Sequence, residues 1–424
     1  MRPRLAVVGG GWAGLAAAIE ATTRGHHVTL YEMASHWGGR ARRVDIDGIA
    51  LDNGQHILIG AYRETLRLMR TVGVEIDRAF VRTPLRLATP DGHGLRLPPG
   101  PPMLAFGRGV LGQRGWPMRD RLALLAAATG WALQGFRCDE RLTVSALARK
   151  LPDPVKADLI EPLCVAALNT PAESASASVF LRVIRDALFS GPGSADLLLP
   201  RQRLTELLPG PAVRWLEQHG ATLRVGTRVE RIAPEGAGWS VDGDRFDAVV
   251  LATTAVEAAR LAKGVAADWA ASAAALHYEP IVTVYAESSD TRLPEPMLAL
   301  PSDDSERPAQ FVFDHGQLGG RDGLLAFVIS GAQPWLARGL DATRDATLAQ
   351  GRAQLGSLLR SPLQPVRVLT EKRATFRCVP ALRRPAGAVA PGLHAAGDYV
   401  AGPYPATIEG AVRSAVEAVE RLQG

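Results

Sequence analysis

Hydrophobic and polar positions alternate along this chain in three regimes. Near the start, Leu5-Ala6-Val7-Val8 is an unbroken apolar run of the kind a strand shows when both faces are buried, Leu15 to Thr23 has helical composition, and His27 to Tyr31 is a second strand ending on Glu32. Val44 to Leu51 predicts a hairpin, Tyr62 to Val72 a helix, and Phe80 to Leu97 a further hairpin broken at Asp91-Gly92, before residues 98–102 (PPGPP) interrupt the chain. From Met103 to Ser190 the pattern is almost entirely helical, punctuated at Pro117, Pro152, Pro154 and Pro171. Beyond it, Thr222 to Ile232, Trp239 to Val241 and Phe246 to Ala252 read as strands. Residues 279–287, 309–314, 323–330 and 365–376 alternate as the strands of a second sheet, with Asp341 to Arg360 a helix beside it. Gly392 to Asp398 is a short strand ending on an acid, and Ala406 to Leu422 a closing helix. Strand, helix, strand at one end and an alternating block later predict an α/β unit with a parallel sheet joined to an α+β unit with a helical insertion.

Composition narrows the function classes. At 424 residues, with 47% hydrophobic and 21% charged positions, the chain is long enough for two or three units with a large core. Its three cysteines, at 138, 164 and 378, are odd in number and lack CxxC spacing, which supports neither a disulfide framework nor a metal site and fits a reducing, cytoplasmic compartment. The net charge of +5 is carried almost wholly by arginine, with lysine only at 150, 156, 263 and 372. No dense basic run with interleaved aromatics speaks for nucleic acid, whereas a mildly basic face suits anionic lipid. The opening Met1-Arg2-Pro3-Arg4 and the apolar stretch after it imitate a signal peptide, but glycines at 9, 10, 11 and 14 interrupt that stretch. Leu122 to Leu133 is apolar yet too short to span a bilayer, and is expected to be buried or to lie on a membrane.

The candidate chemistry begins at Gly9-Gly10-Gly11-Trp12-Ala13-Gly14, a GxGxxG between strand and helix. Gly9 allows the tight turn, Gly11 lets a pyrophosphate reach the backbone, Gly14 permits close helix-on-strand packing, and the helix N-terminus around Trp12 and Ala13 offers N–H donors to the anion. Glu32, 18 residues after Gly14, is placed to bond an adenosine ribose and to repel a 2′-phosphate, which leaves FAD or NAD. Gly38-Gly39-Arg40, Asp52-Asn53-Gly54-Gln55-His56 and Gly397-Asp398 follow at intervals.

In that order these motifs resemble the flavin amine oxidase and phytoene desaturase superfamily. The resemblance implies an FAD-binding Rossmann-like fold of the GR2 type from residues 1–85, 190–275 and 385–424, and a substrate unit from 86–189 and 276–384. It further implies that Gly39 and Arg40 meet the pyrophosphate or the flavin edge, that Gly54, Gln55 and His56 adjoin the flavin, that Val229 lies near the adenine, and that Gly397 and Asp398 bind the ribityl chain or phosphate. The closing helix would point its N-terminus, with Ile408 as backbone donor, at the flavin pyrimidine. Gly11-Trp12-Ala13-Gly14-Leu15, the segment Leu51 to Tyr62, Pro162 to Pro171 and Glu371-Lys372-Arg373-Ala374-Thr375 are similar, more closely, to the squalene-associated FAD-dependent desaturases, the hydroxysqualene dehydroxylases. That family reduces hydroxysqualene to squalene in bacterial hopanoid synthesis. Membership implies FAD as cofactor, a hydrophobic isoprenoid substrate and upstream squalene-pathway synthases as partners. Because a C30 hydrocarbon does not diffuse freely through water, such an enzyme is expected to meet the inner face of the plasma membrane peripherally, and Met103 to Phe136, with Arg108, Arg114, Arg119 and Arg121, reads either as an interfacial segment or as a buried helical pair.

Removing an allylic hydroxyl requires a proton donor in an apolar pocket. His56 is the first candidate, Tyr404 the second, and Lys372 a third that would hold a water near the flavin. Cys164 and Asn169 are read as core or helix-end residues. Two other readings share these motifs: a carotenoid-type desaturase or amine oxidase running the flavin oxidatively, and a non-catalytic isoprenoid-binding protein.

Overall fold

The computed structural model describes residues 2–46, 48–303 and 305–422; the outer limits expected for the FAD-binding unit, 1 and 424, lie outside them. Its first sheet has six strands in the order Thr222–Val225, His27–Glu32, Arg4–Val8, Ala248–Leu251, Leu393–Ala395 and Ala388–Ala390. The first five are parallel and the last runs antiparallel. We label Arg4–Val8 β1, the helix Trp12–Thr23 α1 and His27–Glu32 β2. Strand side chains alternate between faces, and here each face has its own core. Leu5, Val7, Val28 and Leu30 pack beneath Leu15 and Ile19 of α1 and Val412, Ala415 and Val419 of the C-terminal helix Ile408–Glu420. Ala6, Val8, Tyr31, Val249 and Leu251 face the opposite layer with Trp239 and Phe246. Burial on both sides explains the continuous apolar runs, as parallel sheets require.

The second sheet is antiparallel, in the order Met297–Ala299, Phe311–Asp314, Leu324–Ile329, Tyr278–Glu287 and Gln364–Phe376. Period two again sorts the residues. Val282, Val284, Val312, Phe327 and Ile329 pack toward Trp335, Leu348 and Leu355, the last two on the helix Leu340–Leu355. Ile281, Thr283, Phe311, Phe313 and Val328 line a cavity on the other side.

Two expectations change on contact with tertiary structure. Phe80 to Leu97 is not one hairpin: Phe80–Thr83 pairs with Leu197–Pro200, and only Arg86–Ala88 and Gly94–Arg96 form the hairpin. Pro84 ends the first strand, and Gly94, at φ +98°, sits where a side chain would collide with Leu87 O at 2.0 Å. Thr222 to Ile232 likewise stops at Val225, before Gly226 at φ +69°, and a separate small sheet starts at Ile232. The region 103–190 is helical as its pattern predicts, chiefly in Pro102–Gly112, Met118–Leu133, Glu161–Leu168 and Ala177–Phe189.

Candidate active site

At the C-terminal edge of the parallel sheet, a cavity of about 720 Å³ runs from the glycine loop into the space between the two sheets. Gly9, Gly11, Trp12, Ala13, Glu32, Gly39, Arg40, Gly54, Gln55, His56, Val229, Gly397, Asp398, Tyr404 and Ile408 all line it. Gly14 does not; it lies in the first turn of α1, where its missing side chain lets the helix approach Gly9.

The loop that begins the site is held from several directions. Gly10 N–H donates to Glu32 Oε2 at 2.6 Å and Ala34 N–H to Glu32 Oε1 at 2.7 Å, so the carboxylate closes the turn while retaining lone pairs toward the cavity. Trp12 Nε1 donates to Ala41 O at 2.8 Å and Gly38 N–H to Gly10 O, which locks the GGR segment against the glycine loop. Gly39 comes so near that a Cβ on it would lie 3.1 Å from Gly11 Cα. Arg40 donates to Asp398 Oδ1 at 2.7 Å and to the carbonyls of Arg373 and Ala374. This ties the first sheet's motif to the second sheet's last strand.

At the start of the Asp52-to-His56 run, Asp52 is buried, accepts Leu204 N–H at 2.9 Å, and offers its carbonyl to the Tyr285 hydroxyl. Burial lifts its carboxyl to about 6, partly opposed by the Leu204 bond and the Arg203 charge. Asn53 donates to Arg40 O and to Glu371 Oε2. The sequence offered Asn53 no role; its position inside the Asp52-to-His56 run was the signal.

His56 Nδ1 lies 3.1 Å from Gly54 O. Desolvation, aided by the Arg40 charge and partly opposed by the Gly54 bond, holds the imidazole pKa below its ordinary value. A neutral ring that donates from Nδ1 presents an acceptor at Nε2, a geometry suited to receiving a proton rather than giving one. Tyr404 stands before the C-terminal helix with the Arg182 and Arg413 guanidinium groups 5.5 and 5.2 Å from its ring centroid. Desolvation, together with the Asp186 charge, raises its pKa. Asp186 also accepts Arg182 Nε at 2.9 Å. Nothing in the sequence singles out Asp186, because an Arg and an Asp four apart on a helix look like a surface pair.

Lys372 requires correction. It is exposed on Gln364–Phe376 and absent from the cavity wall, to which Leu369, Glu371 and Thr375 contribute. Strand alternation turns it away when Glu371 points in. Asn169, at φ 47°, ends Glu161–Leu168 and bridges Gly331 N–H, Glu279 O and Thr375 Oγ1. Cys164 is buried against Thr170 O, and burial pushes its thiol pKa up. Among the described residues no cluster of His, Cys, Asp or Glu suits a metal ion, and no helix is long and apolar enough to cross a membrane.

The site fits a flavin dinucleotide on its own chemistry. α1 starts at Gly11 without a side-chain cap, leaving backbone donors at the cavity wall. Thr407 caps Gly410 N–H, so the Ile408 N–H is left for a ligand at the second helix N-terminus. Gln55 Oε1 and Thr283 Oγ1 are buried at this cavity with no protein partner among the described residues. If Glu32 bonds the adenosine ribose, Glu32→Ala should weaken FAD affinity about ten-fold or more, the worth of a charge-assisted bond; fluorescence titration of deflavinated protein measures this, and unchanged affinity removes Glu32 from cofactor binding.

Comparison with known proteins agrees. Residues 12–423 match the family described as flavin containing amine oxidoreductase. Over 98% of this chain and 97% of each relative, identity is 28% to a hydroxysqualene dehydroxylase of Rhodopseudomonas palustris and 26% to one of Sinorhizobium fredii. A crystal structure of an oxidoreductase from Methanosarcina mazei superposes with a TM-score of 0.73 at 16% identity, covering 98% of this chain and all of that one. With glycine loop, acid, GGR segment and C-terminal helix gathered on one cavity, the chain belongs to the flavin-containing amine oxidoreductases and is an FAD-dependent oxidoreductase.

Proposed function

We propose that this enzyme removes the hydroxyl of hydroxysqualene to give squalene. The observation that carries the reading is the shape of the cavity. Its dinucleotide end continues into a chamber walled by Leu85, Leu87, Leu163, Met297, Phe311, Phe313 and Val328, with Thr283, Asp186 and Tyr404 among its polar groups. A long hydrocarbon bearing one hydroxyl matches such a lining. The full-length similarity to two proteins named hydroxysqualene dehydroxylase supports the same assignment.

In the reaction the allylic C–O bond breaks, the oxygen leaves as water with a proton from the protein, and the carbon gains a hydride. Reduced FAD, when held by the glycine loop and the GGR segment, would supply that hydride. Tyr404, which lines the cavity and keeps its phenol protonated at neutral pH, is the candidate to hold a proton against the leaving oxygen. His56, neutral and donating toward Gly54, would serve instead, with Gln55, to help hold the cofactor. The apolar chamber excludes water from the allylic cation that forms as the oxygen departs.

The test is anaerobic incubation of chemically reduced holoenzyme with each hydroxysqualene enantiomer, with the product identified by mass. Squalene should form, and deuterium carried by the reduced cofactor should appear on the carbon that lost oxygen. Absence of squalene from both enantiomers in fully flavin-loaded protein overturns the assignment.

A further inference from the structure

The helices Pro102–Gly112 and Met118–Leu133 present an outward face unlike a solvated one. Along the second, Met118, Leu122, Ala126, Thr129 and Leu133 fall at i, i+4, i+8, i+11 and i+15, a single exposed uncharged stripe, and the one other exposed residue of this helix, Arg119, stands beside its start. Asp120 and Leu124 point inward instead. On the first, Met103, Leu104, Arg108 and Leu111 face out while Ala105, Gly109 and Val110 face in. Six of the ten large apolar residues exposed among the described residues belong to this pair, Leu133 at 85% and Met103 at 63% exposure. Scattered exposed leucines need no explanation, but this concentration on one helical pair does.

The charge at the patch says what covers it. Residues 102–136 hold four arginines and one aspartate. Arg121 is used internally, donating to Leu111 O and Trp116 O and so clamping the turn between the helices. Arg119 pairs with Asp120 at 3.3 Å. Arg108 and Arg114 stand exposed beside the apolar stripe. Cations fringing an apolar helical face complement an anionic lipid surface, where the stripe enters the acyl boundary and the guanidinium groups meet phosphate. A two-fold contact with a second copy would bring the same arginines toward each other. Neither helix can span: the longer, at 16 residues, reaches about 24 Å against a hydrocarbon core of about 30 Å. Behind the pair, Phe136 packs on Phe189 at 4.7 Å, the last residue of Ala177–Phe189, whose Val183, Asp186 and Ala187 line the cavity.

We propose that this helical pair is a docking surface for an anionic lipid bilayer, lying in its interface with Met103, Leu104, Met118, Leu122 and Leu133 immersed. The proposal is independent of the substrate assigned above, and its test uses no substrate. Flavin-loaded protein is floated with vesicles of phosphatidylcholine, with and without phosphatidylglycerol. The parent should float with the anionic vesicles, and Leu122→Asp with Leu133→Asp should reduce binding at least about ten-fold. Arg108→Glu with Arg114→Glu should reduce it about ten-fold at low salt, the difference shrinking at high salt. Unchanged flavin absorbance and melting temperature show that each variant is folded, and should one fail to fold, the other pair still decides. Absence of parent flotation, or equal flotation of parent and both variants, overturns the proposal. So does a parent dimer that Leu122→Asp and Leu133→Asp dissociate, which would make the face a self-association surface.

Discussion

Gly14→Ala should yield a protein without flavin. A Cβ at this position would sit 1.7 Å from Gly9 O and 2.9 Å from Gly9 C, both backbone atoms that no rotamer change can move aside. The loop has nowhere to retreat, since a Cβ at Gly9 would already stand 2.5 Å from Ala252 O, and Gly9 holds φ +111°. Either α1 lifts from the sheet or the loop distorts, and each course displaces the Gly11, Trp12 and Ala13 donors from the cavity. Overpacking of this kind costs about 1–3 kcal/mol of stability, and the loss of aligned donors should lower flavin affinity by about two orders of magnitude. Flavin absorbance relative to protein, with the melting temperature of the apo form, measures both. Gly264→Ala is the control, because nothing lies within 4 Å of its missing Cβ. Flavin content equal to the parent's in Gly14→Ala would mean that the close approach is not what shapes the binding loop.

This glycine also shows why the cofactor half of the site was legible in the sequence. A parallel strand buried on both faces, a turn that only glycine permits and a helix that starts uncapped are each local demands, so Leu5 to Glu32 carries them within one short stretch. Glu32 and the Gly38-Gly39-Arg40 segment could be found the same way. The pairing of Arg40 with Asp398 could not, because 358 residues separate them and only the fold brings them to 2.7 Å. Substrate-side residues were less visible still. Asp186 resembles a solvated partner of Arg182 until the helix Ala177–Phe189 is laid against the cavity. Thr283 is one of several alternating residues on its strand, and only the register with Leu324–Ile329 and Gln364–Phe376 decides which face it takes. Lys372 failed for the same reason: a lysine near a family-like motif looked chemical, but strand period turned it outward. Leu197–Pro200 was missed because four buried residues between loops give neither alternation nor length to distinguish a strand from a core segment.

Tyr404→Phe should keep its flavin and lose turnover by about 10²-fold or more, within the range that general acid catalysis contributes. The ring would still lie beside the Arg182 and Arg413 guanidinium groups, so packing and cation–π contacts survive and only the hydroxyl is lost. Direction of titration separates this assignment from His56. Tyr404 has its pKa raised above the ordinary tyrosine value of 10 by desolvation and by Asp186, so the proton-bearing form persists from acid through neutral pH and beyond. His56 has its pKa lowered below 6.5, so an imidazolium donor would exist only in acid and the rate would fall steadily as pH rose toward 7. With Tyr404 as donor, kcat should therefore stay level across neutral pH, and His56→Asn should cost less than about ten-fold. Asp186→Asn, which removes the charge that raises the Tyr404 pKa, should change kcat more than KM while Arg182 loses its partner. The deciding measurement is the pH profile of single-turnover dehydroxylation in Tyr404→Phe and His56→Asn side by side: a parent rate that declines between pH 5 and 7, together with near-parent turnover in Tyr404→Phe, would return the proton to His56.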